Sequence, residues 1–149
     1  MRPSQYAAIF TIITALFMLR VTGQALVAFY QVQFLPPMEQ WYSGLLPYSI
    51  LLPIQLLMIV IMLKIASDFA RGTGFFVLPR RRLGPALKWL SYLYAGSMVL
   101  RYILTMTWHP ERRWLGGTIP IWFHIILAGF LYTLGRYHVQ TTIFELLRA

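Results

Sequence analysis

The chain has 149 residues, of which 58% are hydrophobic, 16% aromatic and only 11% charged, with a formal net charge of +9. A soluble domain carries about 25% charged residues, so this composition excludes an ordinary soluble domain. The absence of cysteine excludes disulfides, thiolate metal sites, iron–sulfur ligation by this chain and a covalent c-type haem.

Residues 1–5 form a short polar start, and residues 6–30 are apolar apart from Arg20, Gln24 and a few small polar side chains. Gly23 and Ala25 would suit a signal peptidase, but Arg20 interrupts the apolar region, so the segment reads as a retained first transmembrane helix. Pro36-Pro37 breaks the chain into a loop, because proline lacks the N–H and clashes with the preceding turn. Trp41 and Tyr42 in that loop suit a headgroup-level anchor. The second helix is expected over about 44–64, with Pro47 in its first turn, Gln55 near its middle and a kink at Pro53.

A basic loop follows at about 65–85. It contains a Gly72-Thr73-Gly74 turn, an apolar run at 75–78, and Arg80-Arg81-Arg82. The three arginines are candidates for anionic lipid headgroups. Pro85 fits the first turn of a third helix over about 86–108. HPERRWLGG at 109–117 combines acid, base and imidazole, but Glu111 between His109 and two arginines reads as a self-paired outer turn rather than a catalytic site. Thr118 can cap a fourth helix over about 118–137. The tail at 139–149 places Val139, Ile143, Leu146 and Leu147 at helical spacing, as an amphipathic segment lying along the membrane surface.

These segments predict an all-α integral membrane protein, a single membrane domain over 1–149 with four transmembrane helices in an up-down-up-down bundle. Lysine and arginine placement orients it. The side holding both termini carries Arg2, Lys64, Arg71, Arg80, Arg81, Arg82, Lys88, Arg136 and Arg148, whereas the other carries only Arg112 and Arg113. Both termini are therefore expected to be cytoplasmic, in a bacterial-type inner membrane. The basic residues thus orient the chain in a bilayer, and no nucleic-acid partner is expected.

At about 1.5 Å of rise per residue, Arg20, Gln55, Arg101 and His124 fall in the outer half of the bilayer. Gln24 shares a face with Arg20, and Thr105 with Arg101. Tyr94, Ser97, Met98, Arg101, Thr105 and Trp108 make a polar stripe that should face protein or water. Of the four acids, Glu39, Asp68, Glu111 and Glu145, none shares the depth of these arginines. Arg20, Gln24, Gln55, Arg101, Thr105 and His124 are therefore the candidate contacts for an anionic ligand or a partner protein. The alternative is that the guanidinium groups bond helix carbonyls, glutamines and tyrosines, or snorkel outward.

His124 and His138 are 14 residues apart on one helix and return to nearly the same face. This spacing resembles that of haem-ligating histidines in b-type cytochrome helices. The resemblance implies haem b as a cofactor with His124 as its candidate ligand, shared with another subunit because only His109 remains besides these two. The residues themselves require no cofactor, and no metal motif, Ser-His-Asp set or phosphate-binding glycine loop is present.

Three functions follow as expectations. The first is a non-catalytic accessory or structural subunit of a larger membrane complex, respiratory or photosynthetic, contacting lipids and other membrane subunits or further copies of itself. The second is a small transporter or flippase for an anionic metabolite or lipid. The third is a b-haem electron-transfer subunit.

Overall fold

The structure, a computed structural model, describes residues 3–41, 46–108 and 119–148. The 109–117 turn, Tyr42 and the Thr118 cap lie outside the described residues. All the described elements are helices: α1 (Pro3–Tyr30), α2 (Met38–Trp41), α3 (Tyr48–Arg71), α4 (Leu83–Trp108) and α5 (Ile119–Arg148). Three helices are long and apolar enough to cross a membrane, over Pro3–Tyr30, Tyr48–Arg71 and Ile119–Phe144. The 26 residues of α4 give it the length, but Lys88, Arg101 and its run of hydroxyl side chains dilute its apolar character.

The helix starts differ from the sequence reading by a few residues, with Pro47 capping α3 rather than lying in its first turn, and two helix ends differ by more, for local reasons. α3 does not stop near Lys64 but runs to Arg71. Lys64, Asp68 and Arg71 look like the start of a polar loop. Spaced at i, i+4 and i+3, they instead form ion pairs on one helix face. The stop is Gly72, which adopts the left-handed conformation and donates its N–H to the carbonyl of Phe69 at 3.2 Å. Likewise α5 does not end at Tyr137. No proline or glycine follows Tyr137, and the helix continues unbroken through the segment read as a separate tail.

The core sits where α1, α3 and α5 meet. Phe10 stacks edge-on against Phe69 with centroids 4.8 Å apart, and lies 4.8 Å from Phe130. Tyr137 packs against Phe69 at 4.6 Å and Tyr6 at 5.1 Å. The two tyrosines keep their hydroxyls satisfied: Tyr6 donates to Gln140 Oε1 and Tyr137 to the carbonyl of Val77, both at 2.9 Å. Buried tyrosine favours such an arrangement, apolar ring inward and hydroxyl on a partner.

The helices associate as two pairs, α1 with α3 and α4 with α5, and the pairs meet along α1 and α5. Contacts run from Phe10–Phe69 through Gln24–Gln55 to Phe29–Tyr48 in the first pair. In the second, Gly84 lies against Gly135 and Val139, and Tyr94 against His124. The close crossing depends on two small residues: a Cβ on Gly135 would lie 2.9 Å from the carbonyl oxygen of Gly84. No described Cα of α3 comes within 8 Å of one in α4, which leaves a cleft between them, floored by α5.

The loop after α3 is tied down by Asp68. Its carboxylate is buried, pairs with Lys64 and with Arg71 at 3.3 Å, and accepts the N–H of Phe76 at 3.4 Å. Beyond it, the Arg80 guanidinium lies 3.7 Å from the ring centroid of Phe75, while Arg81 and Arg82 are exposed.

Candidate functional site: a polar pocket at the head of an apolar cleft

Arg20, Gln24 and Gln55 come together between α1, α2 and α3. Arg20 and Gln24, one turn apart on α1, both point at the end of α2. Arg20 Nη2 donates to the carbonyl of Trp41 at 3.3 Å, and Gln24 Nε2 to the same oxygen at 3.4 Å. Gln55 Nε2, from α3, donates to Gln24 Oε1 at 3.0 Å. Trp41 is therefore more than a surface anchor. Its indole packs on Gly23, its Nε1 donates to the carbonyl of Pro36 at 2.8 Å, and its carbonyl receives the arginine.

This network leaves two polar atoms over. Arg20 is 7% exposed and Gln55 4%, yet Arg20 Nε and Gln55 Oε1 are buried without a hydrogen-bond partner. The guanidinium also lies over the Phe123 ring, 5.4 Å from its centroid. A cation–π contact of this kind offsets part of the cost of removing the charge from water, but leaves the N–H donors unfilled. Buried polar atoms normally find partners, so orphans at one place point to something that completes them.

His124 reaches the same place from α5, where its Nδ1 is hydrogen-bonded to the Tyr94 hydroxyl of α4. Tyr94 belongs to the polar stripe read from the sequence, but nothing in the sequence pairs it with His124. Arg20, Gln55, Tyr94 and His124, with Trp41 and Met58, line a pocket of about 160 Å³. Met58, Tyr94 and Leu127 also line a second, apolar cavity of about 310 Å³ in the cleft between α3 and α4. The polar pocket thus adjoins the apolar cavity.

Arg101 and Thr105 are not part of this pocket. They lie in a surface groove formed by α4 alone, with Ser97, Leu100, Leu104 and Trp108. Equal depth along the helices was the reason to group them with Arg20, and depth says nothing about which way a helix face turns. His138, on the same helix as His124, is fully buried, with neither ring nitrogen hydrogen-bonded. Among the described residues, no three of histidine, aspartate and glutamate come together.

Chemically, the pocket offers one buried cation with a free donor, an amide acceptor, and a tyrosine–histidine pair. Comparison with protein families, curated proteins and solved structures finds no match.

Proposed function

We propose that the chain is a four-span integral membrane protein with an up-down-up-down course and both termini on the cytoplasmic side of a bacterial-type inner membrane. In this reading it acts as a non-catalytic subunit of a larger membrane complex. The carrying observation is α4. Of its 26 residues only Gly84 and Ser91 are buried, and Arg101 lies half-buried with Thr105 on a face that no other described helix covers. A guanidinium facing lipid is costly, by a disputed ~2.5 to 17 kcal/mol depending on method, so a partner helix supplying an acid or carbonyls opposite Arg101 is the economical solution.

Native electrophoresis in mild detergent tests this. The protein should migrate well above its own 17.3 kDa, and Arg101→Leu should shift it down towards that mass. A wild-type chain that migrates alone ends the reading.

The cleft favours a second reading, a small carrier or flippase for an anionic metabolite or for a lipid with a small anionic head, because the apolar cavity between α3 and α4 adjoins a buried cation. Movement of a fluorescent anionic lipid between the leaflets of proteoliposomes is its test, and a rate equal to that of empty liposomes removes it. A b-haem on His124 fits least, since the adjoining pocket of about 160 Å³ is small beside the ~300 to 1,000 Å³ of sites that enclose drug-sized ligands.

A further inference from the structure

The geometry points to a binding site for one long-chain fatty carboxylate, its head in the polar pocket at Arg20 and its tail along the cleft between α3 and α4. This site lies within the chain and does not depend on a partner at Arg101.

The head is specified by size and charge. A space of about 160 Å³ is close to that of an engineered cavity that holds a benzene molecule. It suits a carboxylate and is too small for a glycerol-phosphate head. Among the described residues Arg20 is the one arginine or lysine lining the pocket, and a monoanion matches its charge. Arg20 Nε is buried and unpartnered, and the adjoining Nη2 has a second hydrogen beyond the one given to Trp41. A carboxylate can take both donors side by side, the geometry arginine favours with carboxylates. Gln55 Oε1 needs a donor that a carboxylate lacks, and a water beside the head supplies it.

The tail is specified by the groove. Met58, Tyr94 and Leu127 line both the pocket and a cavity that lies between Ile65 of α3 and Leu90 of α4, over Leu134 of α5. From Met58 to Ile65 is seven residues of α3, roughly 10 Å of helix. The shared lining residues set a buried cation beside an apolar cavity, the order of an amphiphile's own parts. An inorganic anion would use the pocket and leave the groove empty, and a neutral lipid would do the reverse.

Native mass spectrometry of the full chain, released from a zwitterionic detergent containing palmitate, tests the assignment. One palmitate should bind per chain, and methyl palmitate should not. Arg20→Gln should weaken palmitate binding by roughly ten- to hundredfold, the loss of a charged hydrogen-bond partner. Leu90→Trp, which fills the groove and leaves Arg20 untouched, should weaken it as well. Methyl palmitate binding as tightly as palmitate would overturn the assignment, as would unchanged binding in Leu90→Trp, a readout that stands even where Arg20→Gln fails to fold. Displacement of palmitate by equimolar phosphatidylglycerol would also overturn it, because that head exceeds the pocket. Loss of the Arg101-dependent complex with palmitate binding intact would sink the subunit reading alone.

Discussion

Gln55 Nε2 donates to Gln24 Oε1 at 3.0 Å across the α1–α3 interface, joining residues 31 apart in sequence, with both side chains buried. The bond links the pocket to the helix pair that frames it, because Gln24 in turn holds the Trp41 carbonyl beside Arg20.

Replacing one glutamine should therefore cost more than its own bond. Gln24→Leu strands the Gln55 amide, and Gln55→Leu strands Gln24 Oε1. The double change removes both needs at once and should cost less than the sum of the two. Interhelical bonds in membrane proteins average about 0.6 kcal/mol and reach about 1.7 kcal/mol, and the coupling should fall in that range. Thermal unfolding of the four proteins in one detergent measures it.

The turn after α3 makes a sharper prediction. Gly74 has φ +128°, and a Cβ there would lie 2.6 Å from either carboxylate oxygen of Asp68. Gly74→Ala should expel the carboxylate from the Phe76 N–H and destabilise the protein by about 1–3 kcal/mol. Gly72 has φ +67° with open space around it, so Gly72→Asn, a residue that tolerates that conformation, should be nearly silent. Trypsin cleavage at Arg80 to Arg82 provides a local readout, faster in Gly74→Ala and unchanged in Gly72→Asn.

Helix crossing in the second pair rests on bare backbone. Gly135→Ala places a methyl 2.9 Å from the Gly84 carbonyl oxygen and 2.9 Å from the Lys88 nitrogen, and should cost about 1–3 kcal/mol by overpacking. Gly129, on the same helix, has nothing within 4 Å of a notional Cβ. Gly129→Ala should raise stability by about 0.4–1 kcal/mol. Equal melting temperatures for the two variants would refute the close-approach account.

Because the chain has no cysteine, introduced ones report without background. With an impermeant maleimide on intact cells, Gln33→Cys should label, whereas Thr73→Cys should label only after permeabilisation. The opposite pattern inverts the proposed topology, and labelling of both from one side abolishes it.

Much of the helical architecture was legible in the spacing of apolar blocks, and Arg20 and Gln24 were legible as a pair from their shared helix face, whereas Gln55 was placed near them by depth alone. Other features were hidden for physical reasons. Asp68 looks like a loop residue until its partners at i−4 and i+3 are placed on a helix. Tyr94 and His124 are 30 residues apart, and only the α4–α5 crossing brings them together. Arg101 was grouped with Arg20 by depth alone, and the rotation of α4 separates them. Trp41 has the composition of a surface anchor, yet its role is carried by a backbone carbonyl, which no residue type announces.

The lack of contact between α3 and α4 gives the molecule a single spine. Two hairpin leaves join along α1 and α5, and the fastening is uneven from end to end. At one end the leaves are joined by the aromatic cluster and the Tyr6–Gln140 and Tyr137–Val77 hydrogen bonds; at the other, by Arg20 over Phe123 and by α2 packed against α5. Arg20 both lines the pocket and bridges the leaves, so the residue that would greet an anion also helps to hold them together.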